Sequence, residues 1–198
     1  FAGERLWNQL GGNEAQYRLA AATYLLQPGT PFIYYGEEIG MAGASANIGD
    51  DPKLRTPMSW AGDAKAGFTT GTPFRALSAN AASNNVAAQS ADPNSLLNFY
   101  KAVIAVRRAH PSLMAGTHAG AAASGTTLSF QRVLGNERAV VMINYGGTTA
   151  NVTAAGLPAN AALVNAFPAS GTDAAADAGG SATVGVPAQS VRVFIVTP

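Results

Sequence analysis

A pair of acidic residues directly follows a short β-prone run near the start of the chain. Residues 31–35 are apolar or aromatic, Gly36 permits a sharp bend, and Glu37 and Glu38 come next. The Pro28-Gly29 pair ends a helical pattern just before this run, so residues 31–35 are predicted to form one buried strand. In a barrel of alternating strands and helices, the residues at strand ends build the reaction site. The two glutamates are therefore expected at the mouth of such a site.

Paired carboxylates could cleave a glycosidic bond with retention if they lie about 5–5.5 Å apart, one protonated and one ionised. Neighbouring residues in an extended segment point to opposite sides, so neither Glu37 with Glu38 nor Asp50 with Asp51 is expected to flank one bond. Glu37 with Asp51 is the one pairing left open among the 11 acidic residues. Alternatively, a glutamate here accepts hydrogen bonds from backbone amides or an arginine, and Glu37 could also meet a sugar hydroxyl.

Arg55 is the basic residue with the clearest binding chemistry. Its planar guanidinium suits a bidentate contact with a carboxylate or with neighbouring sugar hydroxyls. The alternative is a salt bridge that anchors the loop, with Asp50, Asp51 or Asp63 as the partner. The sequence leaves both roles open.

Three aromatic side chains could stack on the apolar face of a pyranose. Trp60 and Trp7 are the two tryptophans, and Tyr35 lies at the end of the predicted strand. Packing in the interior is the commoner fate of such residues. Both roles remain open for each of the three.

Three segments resemble, in order, consecutive parts of the α-amylase superfamily of glycoside hydrolases. Residues 27–41 resemble the eighth barrel strand, and residues 51–60 (DPKLRTPMSW) resemble the loop after it in α-glucosidase-like and sucrose-active members. Residues 85–100 resemble the last barrel helix. The resemblance implies an α+β chain in which residues 1–112 are the C-terminal portion of a (β/α)8 TIM barrel, comprising helix 7, strand 8, a long loop and helix 8. Residues 113–198 would be the antiparallel β-sandwich that closes these enzymes.

The same resemblance implies a retaining enzyme that hydrolyses or transfers α-glucosidic bonds in starch-like oligosaccharides through a covalent intermediate. The family's two catalytic aspartates and its glutamate acid/base would precede residue 1. The chain is then expected to be inactive alone, with no catalytic residue of its own. In α-glucosidase-like relatives, the arginine matching Arg55 is implicated in holding the first sugar. Glu37, Trp60 and Tyr35 are the other expected substrate-binding residues.

Two other functions stay open. A sucrose or maltose transglucosidase or isomerase of the same superfamily would use the same catalytic residues, and residues 55–60 slightly favour it. A non-catalytic carbohydrate-binding sandwich would need an exposed row of aromatic side chains. The aromatic residues available for such a row mostly fall at core positions of predicted strands: Phe130, Tyr145, Phe167 and Phe194.

The composition excludes several other classes. A net charge of +1 with 12% charged residues gives no electrostatic footprint for nucleic acid, and no apolar run is long enough to span a membrane. The chain has no cysteine, so it forms no disulfide and has no thiolate ligand. The two histidines, His110 and His118, are badly placed for a metal site, and neither cofactor nor metal is expected. The compartment is left open.

The rest of the pattern predicts helices first and strands afterwards. One helix begins after Asn13 as N-cap and ends at Pro28-Gly29, and a second is predicted to begin with Asp92 as cap and Pro93 at its first position. A long loop over residues 40–91 lies between them. Arg107 and Arg108 are expected on the solvent side of the second helix. Four strands are predicted over residues 127–133, 139–144, 161–167 and 191–196.

One barrel strand with two helices cannot close a barrel. The apolar side chains of Phe32, Ile33, Leu25 and Val103 would then lack cover. The chain is therefore expected to expose a large apolar patch unless upstream barrel strands or a second copy cover it.

Overall fold

A computed structural model describes residues 3–45 and 50–197 of the chain. These residues form two compact units. One unit combines Phe1–Tyr17 with Phe32–Ala102, and the other combines Arg18–Pro31 with Val103–Pro198. The division of homologous domains at residue 112 stays a prediction.

Six α-helices and one short 3-10 helix are present in the described residues. The helices are α1 (Leu6–Gln9), α2 (Glu14–Leu26), α3 (Asp50–Leu54), α4 (Val86–Ala91), α5 (Leu96–Ala109) and α6 (Pro111–Ala115), and the 3-10 helix is Glu37–Ile39. None of the described helices has the length and apolar character needed to cross a bilayer.

The predicted N-cap of α2, Asn13, is confirmed, whereas the predicted N-cap of α5, Asp92, is wrong. The side chain of Asn13 accepts a hydrogen bond from the Gln16 amide at 3.1 Å, as a helix cap does. Before α5, however, Asp92 accepts from the Asn94 amide at 2.8 Å and closes a local turn. The Ser95 hydroxyl accepts from the Asn98 amide at 3.2 Å, so Ser95 is the actual cap and the helix begins later than predicted.

Eight strands follow the helices in the part of the chain that the structure describes. They are β1 (Thr117–Ser124), β2 (Thr127–Leu134), β3 (Glu137–Asn144), β4 (Ala150–Ala154), β5 (Ala162–Phe167), β6 (Ala174–Ala175), β7 (Ala182–Val186) and β8 (Ser190–Thr197). A six-stranded antiparallel sheet has the order β1-β2-β3-β8-β5-β6, and β4 pairs with β7 in a second sheet. The four predicted strands correspond to β2, β3, β5 and β8. The strand β1 was missed because its alanines and glycine have low β-propensity.

The two sheets enclose an apolar core, because side chains alternate across each strand. On β2, the Ser129 hydroxyl and the Gln131 amide face the second sheet and donate to the carbonyls of Thr153 and Ala155, both at 2.7 Å. The core between the sheets contains these buried residues: Val140, Met142, Val152, Ala154, Leu157, Ala161, Leu163, Ala176, Ala182, Val186, Phe194 and Val196.

Two buried arginines hold the C-terminal end of α2. Arg107, from α5, donates to the carbonyls of Leu25 at 2.6 Å, Gln27 at 2.9 Å and Gly29 at 2.6 Å. Arg132, from β2, lies beside it and is also buried. The last carbonyls of a helix lack partners within the helix, so these guanidinium groups supply the missing donors. The expectation that Arg107 faces solvent is therefore wrong, since its side chain is only 7% exposed.

Arg132 extends the same contact into the sheet. It donates to the Leu26 carbonyl at 3.0 Å and, through two nitrogens, to the Gly116 carbonyl at 3.2 and 2.8 Å. Burial lowers the pKa of both arginines, and the charge of Arg107 lowers that of Arg132 further. The end of α2, the helix α5 and the strand β2 are thus joined by these two side chains.

The prediction of a buried strand over residues 31–35 is wrong. No strand is present there, because among the described residues no segment pairs with it to form a ladder. Phe32 is 87% exposed and Ile33 is 37% exposed. In contrast, Leu25 and Val103 are buried. Four apolar side chains were expected to be exposed, and of these only Phe32 and Ile33 are.

The capping role of Arg107 predicts a large loss of stability on substitution. Arg107→Gln should lower the free energy of unfolding by about 2–4 kcal/mol, because buried carbonyls would lose their donors. Arg108→Gln is the matched control, since Arg108 is the next residue and is exposed, and its effect should stay within about 0.5 kcal/mol. Urea denaturation followed by circular dichroism measures both. Equal effects of the two substitutions would contradict this role.

Candidate functional site

A glycine bend places the two glutamates. Gly36 has a φ of +83°, a backbone conformation that side chains other than glycine rarely adopt. The chain then forms the 3-10 helix, and the Met41 amide donates back to the Gly36 carbonyl at 2.8 Å. Glu37 and Glu38 therefore lie on a helical turn. The expectation that they point to opposite sides of an extended backbone is wrong, because Gly36 ends the extended conformation.

Glu37 binds its own local backbone. Its Oε2 accepts a hydrogen bond from the Tyr34 amide at 3.2 Å. Burial raises the pKa of the Glu37 carboxyl, while this hydrogen bond and the nearby charge of Arg5 oppose the increase. The alternative in which a glutamate at this bend accepts from a backbone amide is thus present in the structure.

Arg5 is a residue of this region that the sequence did not indicate. It is 2% exposed, and its Nε donates to the Leu54 carbonyl at 3.0 Å while Nη1 donates to the Tyr35 carbonyl at 2.8 Å. Its guanidinium also lies 4.9 Å from the ring centroid of Tyr34 and 4.8 Å from that of Tyr35. Arg5 thereby links the segment around Tyr35 to the end of α3.

Tyr35 is held in place from both ends. Its carbonyl binds Arg5, and its hydroxyl donates to the Thr56 carbonyl at 2.9 Å. Partial burial raises the pKa of the phenol. The ring is nevertheless 40% exposed, so one part of it remains available for contact with a ligand.

Arg55, the first residue after α3, forms a salt bridge with a residue of that helix. Its terminal nitrogen lies 2.8 Å from Asp51 Oδ1, one helical turn earlier, and both side chains are largely exposed. Of the other proposed partners, Asp63 instead accepts from the amides of Lys65 and Gly67, and these bonds lower its pKa. The side chain of Asp50 lies outside the described residues.

The two tryptophans have different environments. Trp60 is 51% exposed, and its backbone is fixed by hydrogen bonds to Ala66 and Ala87. Trp7 is partly buried, with its ring 6.0 Å from that of Tyr17. Trp60 is therefore available for stacking, whereas Trp7 packs inside its unit.

A cavity of about 800 Å³ brings two of the predicted residues together. We call it the Arg55 cavity, and it is lined by Gly3, Tyr34, Tyr35, Asp51, Leu54, Arg55, Phe74 and Arg75. Glu37 and Trp60 do not line it, although Glu37 contacts the backbone of a lining residue. Phe74 and Arg75 were missed, since they lie in a Gly- and Thr-rich stretch without periodicity. An aromatic residue next to an arginine was the only signal there.

Several of the other carboxylates accept hydrogen bonds from the backbone. Four of them accept backbone amides at 2.6–2.9 Å: Asp92, Glu137, Asp173 and Asp177. In residues 3–45 and 50–197, no three histidine or acidic side chains gather in a way that could hold a metal ion. His118 stacks on Phe130, with ring centroids 5.0 Å apart. The pairing of Glu37 with Asp51 gains no support, because each has a separate partner.

The chain belongs to the α-amylase family. The family model described as "Alpha amylase, catalytic domain" matches residues 3–116. This match confirms the resemblance that the segments around Glu37 and Arg55 carry.

Individual relatives agree with this assignment. The chain is 30% identical over 177 residues to an oligo-1,6-glucosidase of Parageobacillus thermoglucosidasius, covering 70% of this chain and 32% of that protein. It is 40% identical over 119 residues to a trehalose synthase/amylase of Mycobacterium tuberculosis, covering 57% and 20% respectively. The chain thus spans about a third or less of these relatives' length.

Solved structures show the same fold. An isomaltulose synthase from Klebsiella sp. LX3 superposes with a TM-score of 0.77 at 23% identity, covering 98% of this chain and 41% of that one. A trehalulose synthase mutant superposes with a TM-score of 0.74 at 24% identity, covering 92% and 38%. At this level of identity, the likeness concerns the fold alone.

The bend at Gly36 predicts an unusually costly glycine substitution. Gly36→Ala should destabilise the unit by the strain of positive φ, about 1–2 kcal/mol, and further because the new Cβ would lie 2.9 Å from Met41 Cγ and 3.1 Å from Met41 Cβ. Gly29→Ala is the matched control. Gly29 has a φ of +93° with nothing within 4 Å of an added Cβ, so only strain applies. In thermal denaturation, the melting temperature of Gly36→Ala should lie well below that of Gly29→Ala. The reverse order would refute the crowding of the new Cβ against Met41.

The raised pKa of Glu37 predicts a pH-dependent stability. The folded state binds this proton more tightly than the unfolded state, so stability falls as pH rises from the ordinary glutamate pKa through the raised one. Glu37→Gln removes this loss of stability, because glutamine does not ionise. Its side-chain oxygen can still accept the hydrogen bond from the Tyr34 amide. The variant should therefore gain stability over the wild type at pH 7, and the gain should vanish near pH 4.

Glu38→Gln controls for the change in net charge, since it removes the adjacent carboxylate. Urea midpoints at both pH values measure the effect. An equal gain for both variants at pH 7 would show that net charge, and not burial of Glu37, is responsible.

Proposed function

We propose that the chain forms the C-terminal part of a retaining enzyme that hydrolyses α-glucosidic bonds in starch-like oligosaccharides. The observation that carries the proposal is the Arg55 cavity, in which a chain of the α-amylase family gathers Tyr35, Arg55 and Asp51. Such a mixture of aromatic faces and a few fixed polar groups suits a small polar ligand with apolar ring faces.

The proposed domain organisation follows the family. Residues 1–112 would complete a (β/α)8 barrel contributed mainly by upstream polypeptide, and residues 113–198 would form the sandwich beside it. Exposure of Phe32 and Ile33 supports this proposal, because neighbouring barrel strands would cover both. A second copy of the chain is the alternative source of cover.

The residues of this chain would bind the sugar and not cleave the bond. The guanidinium of Arg55 carries five N–H donors, so it can donate to sugar hydroxyls while it keeps its contact with Asp51. The exposed part of the Tyr35 ring would face the apolar side of the pyranose. Trp60 would contribute stacking from the adjoining loop, and Glu37 would accept from a hydroxyl or hold the Tyr34 backbone in place.

The chemical step would use groups from the polypeptide that precedes this chain. In a retaining mechanism, one carboxylate attacks the anomeric carbon while a protonated one gives its proton to the leaving oxygen. Water then breaks the glycosyl ester with the second residue acting as base. We assign neither role to a residue of these 198.

A second candidate is transfer or isomerisation in place of hydrolysis. The identity of 40% to a trehalose synthase/amylase favours it. Both reactions share the covalent intermediate and differ in whether water or a sugar hydroxyl attacks it. A purely carbohydrate-binding sandwich is less well supported, because Phe130, Phe167 and Phe194 are buried and only Tyr145 is exposed among the candidate aromatic residues.

Assays of the chain and of the polypeptide encoded by the complete gene test the proposal. Isomaltose, maltose, sucrose and trehalose serve as substrates, and product chromatography separates hydrolysis from transfer. The 198-residue chain should show no turnover, while the complete polypeptide should act on at least one of these sugars. Arg55→Lys in the complete polypeptide should raise KM, since lysine cannot form the same planar contacts. Turnover by the purified 198-residue chain alone would refute the proposal.

A further inference from the structure

We propose that Phe74 and Arg75 form a platform for a second sugar ring in the Arg55 cavity. The inference rests on the proposed function and deepens it, because it assigns the part of the cavity that neither Tyr35 nor Arg55 accounts for. The ligand class is an α-linked disaccharide or a longer oligosaccharide, with its first ring at Arg55 and its next ring at Phe74.

The exposure of Phe74 is the first observation. Its side chain is 69% exposed and it lines the cavity. Phe68 supports it at one side, with ring centroids 5.9 Å apart and an interplanar angle of 42°. An aromatic ring that is braced by a second ring while remaining open to solvent is arranged to receive a flat apolar surface, such as the C–H face of a pyranose.

Arg75 adds directional donors to this surface. Its guanidinium carbon lies 5.8 Å from the centroid of the Phe74 ring, within reach of a cation–π contact. Among the described residues no acidic side chain forms a salt bridge with it. Its N–H groups are therefore free of a competing carboxylate and can donate to the hydroxyls of a ring that lies on Phe74.

The size and polarity of the cavity are compatible with two sugar rings. A volume of about 800 Å³ lies in the range of pockets for drug-sized ligands, which are larger than one monosaccharide. The Arg55–Asp51 pair supplies acceptors and donors together, as recognition of several hydroxyls on one ring requires. Phe74 and Arg75 supply a stacking face and donors only, which suits a second ring held mainly by its apolar side.

Titration of the 198-residue chain with two sugars tests the platform. Methyl α-glucoside reports on the first ring alone, and isomaltose adds a second ring. Isothermal calorimetry or saturation-transfer NMR on the wild type should give several-fold tighter binding of isomaltose. Phe74→Ala should abolish this preference and leave the affinity for methyl α-glucoside unchanged, while Arg75→Gln should reduce the preference in part.

Phe32→Ala is the matched control, since Phe32 is an exposed phenylalanine of the same unit that does not line the cavity. It should keep the preference for isomaltose. If methyl α-glucoside binds but Phe74→Ala weakens both sugars equally, or Phe32→Ala acts like Phe74→Ala, the platform is refuted while the Arg55 subsite stands. If neither sugar binds the wild type, the proposed sugar site itself fails and the platform fails with it.

Discussion

One buried guanidinium, that of Arg5, holds the candidate site together. The segment that contains Tyr35 has no neighbouring strand among the described residues, so its carbonyls lack the ladder partners of a sheet. Arg5 supplies one donor to Tyr35 and another to Leu54, and its flat face lies against two tyrosine rings. The relative position of Tyr35 and of the end of α3, which Arg55 directly follows, therefore depends on a long-range side-chain contact instead of regular secondary structure.

In the second unit, arginine side chains likewise donate to backbone carbonyls that lack partners, here at the end of a helix. Arg107 and Arg132 donate to carbonyls that α2 cannot satisfy itself, and both guanidinium groups are almost fully buried. Among residues 3–45 and 50–197 no carboxylate pairs with either of them, and burial lowers the pKa of each. A buried cation is tolerated here because several backbone dipoles converge on it at the negative end of a helix. In both units, arginine thus replaces missing backbone partners, while acidic residues such as Asp63, Asp92 and Asp177 accept backbone amides in turns.

Local signals were readable from the sequence, and long-range partners were not. The Asn13 cap, the Pro28 stop and the alternation that defines β2, β3, β5 and β8 depend on neighbours in sequence, so they could be predicted. Arg107 and Arg108 look alike in sequence, and only the packing of α5 decides which one is buried. Family resemblance indicated Arg55, and the position of Tyr35 at the end of a predicted strand indicated that residue; both line one cavity. Neither signal pointed to Phe74, whose position depends on how an irregular loop returns to the cavity.

The environment of Glu37 fits a binding role better than that of a catalytic acid. A partly buried carboxyl with a raised pKa has one property of a general acid. A general acid must also present its proton to the bond that breaks, whereas Glu37 does not line the Arg55 cavity and its Oε2 is engaged by the Tyr34 amide. The acid that does line the cavity, Asp51, is ion-paired with Arg55 and largely exposed. The described residues of the cavity can bind hydroxyls, and their one carboxylate already has an arginine partner, so the proposed mechanism takes its acid and nucleophile from other polypeptide.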